Sequence, residues 1–218
     1  MDLVEHQQPP AWVYVFVNQS NPMAVMNLDI TGQFSSPVLA AMEEPGFAAS
    51  YADGTADFLP FTPNPTISTG FWSPFVLSTI NGYRIEYDAE LARRAIFKKA
   101  PSRLTGIFAF ESLADCQRVS GKFGWPIGTV QKFQPQTVLR ATRVNMEIVS
   151  LARLAYRRAS LDAITIDALW RAYWSGADRF TFDLPSVDAM SRETHTAETT
   201  WEWIIDGSLL HESKAGGN

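Results

Sequence analysis

Short β-branched and aromatic runs alternate along this chain with segments of helical period, and that order excludes most folds at once. Residues 12–17, Trp-Val-Tyr-Val-Phe-Val, sit between Pro9-Pro10 and the breaker-rich 18–22 and read as a buried strand. Residues 106–110, Gly-Ile-Phe-Ala-Phe, form a second apolar strand, 129–133 a third, and 201–205, Trp-Glu-Trp-Ile-Ile, a fourth. Between them lie helical patterns. Ser112 offers an N-cap with Asp115 three residues on, and Cys116, Val119 and Phe123 continue one apolar face to Gly124. Val144, Ile148, Leu151 and Ala155 mark a helix over 143–158, and a further one runs over 160–175 from a Ser160 cap. Arg84 to Tyr87 reads as a short strand, with an amphipathic helix following over 89–99. The Asp206-Gly207 pair is a turn signal that leads into a last short strand over 208–211. The long stretch 23–82 is broken by many prolines, with short elements expected around 38–42 and 75–80, and 179–198 shows no clear period.

The expectation is an α+β chain with antiparallel sheets flanked by helices, one domain over 1–212, and a frayed tail over 213–218. Hydrophobic residues at 46% and charged ones at 19% are enough to build a core. No apolar run approaches the roughly 20 residues of a membrane helix, and the first residues lack a basic signal region, so cytoplasmic residence is the default. The single cysteine, Cys116, excludes an internal disulfide and a multi-thiolate metal site, and it reads as a small core residue. His6, His195 and His211 are far apart and form no zinc-hydrolase spacing, so no metal is expected.

Charge is segregated. Residues 1–83 carry seven acids and no Lys or Arg, for −7; residues 84–158 carry +8, and residues 159–218 carry −6. A basic middle between acidic ends could seat a phosphate-bearing cofactor, or the segments could pair with one another.

Common nucleotide and hydrolase motifs are absent, with no G-x-G-x-x-G, GxxxxGK[ST] or G-x-S-x-G. Three subtler candidates remain. In the 201–206 strand, Glu202, Ile204 and Asp206 share one face while Trp201, Trp203 and Ile205 share the other. A carboxylate flanked by tryptophans and sharing a face with isoleucine is partly desolvated, and it needs a partner or a purpose. Its other reading is an edge-strand glutamate facing water. Ser102 and Arg103, directly before the 106–110 strand, could donate to a phosphate, or Ser102 could close a turn with Arg103 in solvent. Tyr173 and Trp174 at a helix end could stack on a flat ring, or plug the core.

In order, the segments PSRL (101–104), GIFAF (106–110), SLADCQRV (112–119), TVQKF (129–133), YWSG (173–176) and TWEWIIDGSL (200–209) resemble a bacterial and phage family of the ADP-ribosyltransferase-like fold. The resemblance covers about residues 84–210. It implies split antiparallel sheets holding NAD in a cleft, with Glu202 hydrogen-bonding the nicotinamide ribose and stabilising an oxocarbenium-like transition state. It also implies that Ser102, Arg103, Phe108, Tyr173 and Trp174 bind the cofactor, and that the acceptor is a macromolecule, protein or nucleic acid. Two features depart from the pattern. The first strand ends in Asn18-Gln19, where such enzymes carry Arg or His, and Ser68-Thr69-Gly70 matches a Ser-Thr-Ser triplet only loosely. A non-enzymatic binding or inhibitor protein of phage or mobile-element type, with an aromatic surface, is the alternative reading.

Overall fold

The computed structural model describes residues 7–43, 46–56, 74–159, 161–185 and 191–215. Ser160, Ser68-Thr69-Gly70, His6 and residues 186–190 and 216–218 lie outside them. Where the sequence reads as one domain over 1–212, contacts divide the chain into two units. The first takes Met1–Phe58, Lys98–Val144 and Thr200–Asn218; the second takes Leu59–Phe97 and Asn145–Thr199. Each is interleaved in sequence, so no linker or shift in composition marks a boundary.

The first unit is built on a five-stranded sheet. Its strands are β1 (Val13–Phe16), β2 (Gln33–Ser35), β3 (Ile107–Ala109), β4 (Val130–Asn145, whose last residue belongs to the second unit) and β7 (Trp201–His211). The order is β1-β4-β7-β2, with β3 also on β7. β3 pairs antiparallel along the first half of β7, Ile107 against Ile205, and β2 along its second half, Phe34 against Leu209. β1 pairs antiparallel with β4, Val13 against Phe133. Just past β3, Phe110 exchanges two backbone hydrogen bonds of 2.8 Å with Tyr14, so the sheet curls back onto β1. β3 and β4 thus both oppose β1, and β7, which opposes β3, opposes its neighbour β4 as well.

The inner face of this curl is the core. Val13, Val15, Ile107, Ala109, Phe133, Ala141, Trp203, Ile205 and Leu209 are buried together there. That arrangement confirms the alternation read in 201–206, with Trp203 and Ile205 inward. The Asp206-Gly207 turn is not formed. β7 runs unbroken from Trp201 to His211, and Gly207 makes this possible by absence of a side chain. A Cβ there would lie 1.9 Å from the Thr137 carbonyl oxygen of β4, at φ 157°.

Around the sheet lie α1 (Pro22–Thr31), a 3-10 turn at Pro37–Glu43, α2 (Phe47–Ala52), α4 (Leu113–Phe123) and α7 (Glu212–Ala215). α4 starts as its sequence dictates, with the Ser112 hydroxyl accepting from the Asp115 N–H at 3.1 Å. Cys116 on its inner face is fully buried, and burial pushes its thiol up to about 12, so it is a core residue rather than a nucleophile. The tail expected from Ser213 is helical through Ala215.

The second unit packs α3 (Pro74–Ile96), α5 (Met146–Arg158) and α6 (Ala163–Trp174) beside a hairpin of β5 (Phe180–Pro185) and β6 (Arg192–Ala197). Residues 84–87, expected as a strand, are inside α3. Ile85, Asp88 and Ala89 are buried at helical spacing, and four residues are too few to distinguish the two periods. α6 is capped by Asp162, whose carboxylate accepts from the Thr165 N–H at 2.7 Å. Asn145 ends β4 and starts α5. Its side-chain oxygen accepts from the Glu147 N–H, while its amide donates to the carbonyls of Asp178 and Glu198 that flank the hairpin. Among the described residues no helix is long and apolar enough to cross a membrane.

Inside this unit the Tyr156 hydroxyl donates to Asp88 at 2.6 Å and accepts from the Trp170 indole at 3.4 Å. Burial holds the Asp88 carboxyl above the ordinary carboxylate range, against the Tyr156 hydrogen bond and the Arg84 charge, which pull it down. A raised folded-state pKa stabilises the fold below the unfolded value, near ~3.9, and that contribution is lost as pH rises through the folded value. Asp88→Asn keeps the acceptor and removes the charge. Relative to wild type it should melt higher at pH 7, an advantage that shrinks or reverses at pH 3, as followed by circular dichroism. On the sheet, Gly207→Ala should destabilise by about 3 kcal/mol or more through overpacking. Gly121→Ala, in α4 with open space at its Cβ, should instead stabilise by about 0.5–1 kcal/mol. Urea unfolding of the two variants checks the contrast.

Candidate functional site

The outer face of β7 is polar and buried. Glu202, Asp206 and Ser208 alternate along it with Ile204, none of them more than 6% exposed. β7 has β4 on one side and β3 and β2 on the other, so the edge-strand reading of Glu202 does not hold.

A tight turn docks on this face just before β3. The Ser102 carbonyl accepts from Thr105 and Gly106 N–H, and its hydroxyl accepts from the Leu104 N–H at 3.1 Å. Gly106 is needed where the turn meets the strand, because a Cβ there would sit 2.3 Å from Ile204 Cγ2. Thr105 donates to Asp206 Oδ1 at 3.3 Å and ties the turn to β7. The turn thereby presents Arg103 to Glu202, Nη1 to Oε1 3.5 Å, with the guanidinium 5.1 Å above the Phe108 ring. Ser102 does close a turn, as one reading had it, but Arg103 is not in solvent: its side chain is only 9% exposed.

Asp206 is enclosed from the other side by α2. The Tyr51 hydroxyl donates to Asp206 Oδ2, and the Arg140 guanidinium of β4 covers the Tyr51 ring at 3.6 Å. Arg140 also donates to the carbonyls of Tyr51, Ala56 and Ala100. Two buried carboxylates on one strand face therefore draw cations and hydroxyls from three separate parts of the chain, as buried charge requires. Part of the charge segregation is answered in the same way: Arg103 with Glu202, Lys132 with Glu212, and Arg158 with Glu193 join the basic middle to the acidic end.

Of the residues expected to act together, the structure assembles Glu202, Ser102, Arg103 and Phe108. It does not add Tyr173 and Trp174. Both belong to the second unit and have no exposed surface; the Trp174 indole donates to the Ala89 carbonyl at 2.8 Å and packs edge-on against Tyr173. A ring enclosed on both faces cannot stack on a ligand, so these two are core residues. The sequence reading missed Tyr51, Arg140 and Asp206. Only Asp206 left a signal, the period-2 spacing from Glu202. Among the described residues no group of three His, Cys, Asp or Glu could hold a metal ion.

No protein-family model matches the chain, and a search of curated proteins finds no match either.

Tyr51→Phe keeps the ring beneath Arg140 and removes the donor to Asp206. Removing one hydrogen bond from a buried carboxylate should cost about 1–3 kcal/mol, read as a lower urea midpoint.

Proposed function

We propose that this chain is an ADP-ribosyltransferase-like protein that cleaves NAD and passes ADP-ribose to a macromolecular acceptor. The observation that carries the reading is Glu202, a carboxylate enclosed on a central strand beside a guanidinium delivered by the Ser102 turn. In the proposed reaction the bond between nicotinamide nitrogen and ribose C1′ breaks, and its electron pair leaves with neutral nicotinamide. The Glu202 carboxylate faces the cation that develops on the ribose, where a fixed negative charge acts mainly in the transition state. The acceptor's nucleophile then bonds to C1′ and loses its proton. Arg103 serves the pyrophosphate, with Ser102 shaping the turn and Phe108 supporting the guanidinium from below.

A binding or inhibitor protein that keeps such a fold without NAD chemistry is favoured by one specific observation. Glu202 is 4% exposed and faces Arg103, so a substrate must displace that contact before it reaches the carboxylate. Arg103 is the piece whose movement would open the way to the carboxylate.

Nicotinamide release, followed chromatographically, separates the two readings. Glu202→Gln should remain folded and retain NAD affinity while losing about 10²–10³ in turnover, the usual scale for one such contact. Arg103→Ala should weaken NAD binding measured by calorimetry. Equal release by wild type and Glu202→Gln, or none from wild type with any acceptor, overturns the enzyme in favour of the binder.

A further inference from the structure

The outer side of β1 carries a row of rings. Trp12, Tyr14 and Phe16 alternate with the buried Val13, Val15 and Val17, and all three are half-buried. The end of α4 adds another. Gly124 closes that helix at φ 70°, and the Ser120 hydroxyl donates to the Trp125 carbonyl at 2.6 Å. Trp125 is thereby set edge-on to Phe16, with 5.3 Å between ring centres, and stays 37% exposed. The indoles separate this row from the core. Trp170, Trp174 and Trp203 each donate their N–H to a protein acceptor, whereas among the described residues Trp12 and Trp125 have none. A partly exposed indole without a protein acceptor keeps that donor for water or a ligand.

Cations stand at both ends of the row. Lys132, opposite Tyr14 on β4, holds its ammonium 4.4 Å above the centre of the Trp12 ring. Lys122 lies 5.8 Å from the centre of Phe123, whose ring packs on Trp125. Lys132 also meets Glu212 at 3.3 Å, a surface pair that salt screens and a stronger anion can replace. An apolar partner has no use for the ammonium groups, and a small inorganic anion has none for the rings. A ligand that repeats a flat ring and a negative charge along its length answers both. Residues two apart on a strand stand roughly 6.5 Å apart, about twice the ~3.4 Å step between bases along one strand of a duplex. Successive rings therefore meet bases that have left the stack, which a single strand offers and a duplex does not.

We propose that this face binds single-stranded nucleic acid, with bases stacked along Trp12, Tyr14, Phe16 and Trp125 and phosphates on Lys132 and Lys122. Phe16 is braced edge-on by Phe110 as well as by Trp125, so the middle of the row is ordered before the ligand arrives. Recognition by ring faces and charge reads little sequence. The inference goes beyond the proposed reading and needs no NAD chemistry.

The test uses the full chain with fluorescein-labelled oligothymidylate and a labelled hairpin duplex of equal charge, followed by fluorescence anisotropy. Wild type should bind the single strand more tightly than the duplex, with affinity falling as salt rises. Trp12→Ala and Trp125→Ala should each weaken binding roughly tenfold, the scale of one lost stack, with melting temperatures near wild type. Trp12→Phe keeps a ring and should bind nearly as wild type does. Lys132→Gln should flatten the slope of log affinity against log salt by about 0.7. No binding of oligothymidylate at low salt overturns the inference, as does equal affinity for the duplex or for Trp12→Ala. Should an alanine variant fail to fold, the Lys132→Gln slope decides, and an unchanged slope overturns it. If phosphatidylserine vesicles bind through Trp12 and the oligonucleotide does not, the face is a lipid contact and the inference is wrong. None of these outcomes depends on nicotinamide release.

Discussion

Two carboxylates on the outer face of one central strand set the terms for the first unit. Glu202 and Asp206 lie buried on β7, on either side of Ile204 and between neighbouring strands. Removing a carboxylate from water costs several kcal/mol unless charge and hydrogen bonds replace it. Their partners come from distant parts of the sequence: Tyr51 from α2, Thr105 and Arg103 from the turn before β3, and Arg140 from β4 by way of Tyr51. The covering layer is thus specified by the charges beneath it. Replacing both carboxylates with apolar residues would relieve the cost and remove the reason for these segments to dock in one register.

That dependence bears on two of the glycines where a Cβ would collide with another part of the chain. Gly106 lets the Ser102 turn lie against Ile204, and Gly207 lets β4 pass beside β7. Gly106 follows Thr105, which donates to Asp206, and Gly207 follows Asp206 itself. The close approach at Gly106 brings Thr105 within reach of Asp206.

What was legible in the sequence follows the same logic. β1, β3 and α4 could be read because their patterns are local: Val13 and Val15 alternate, and Ser112 caps with Asp115 in place. The strand at 201–205 and its facing pattern were equally clear, which is why Glu202 stood out. Other elements were decided by tertiary contacts. Asp206-Gly207 carries a hairpin signal, yet the strand continues because Thr137 occupies the space a side chain would need. Residues 84–87 have strand composition but lie within α3, where packing against α5 and α6 outweighs propensity. The β5–β6 hairpin gives little apolar signal because one of its faces is a polar ladder, with Thr181 beside Thr196 and Asp183 accepting from Thr194. Tyr51 and Arg140 were invisible for another reason: each matters through a group far along the chain, and no local period records such a contact.

The contact between Arg103 and Glu202 bears on both functional readings in opposite senses. In a protein that only binds, a buried ion pair holds the Ser102 turn on β7, and breaking it leaves an uncompensated charge. In a transferase the same pair is a resting arrangement. An incoming pyrophosphate offers Arg103 a doubly anionic, bidentate partner in exchange for the Glu202 carboxylate. The exchange would free Glu202 at the moment the substrate arrives, and the carboxylate would then face the developing cation with no competing guanidinium. Proximity of a cation in the resting state is therefore compatible with electrostatic catalysis only if ligand binding moves it. A rigid Arg103 would cancel the charge on which the chemistry depends.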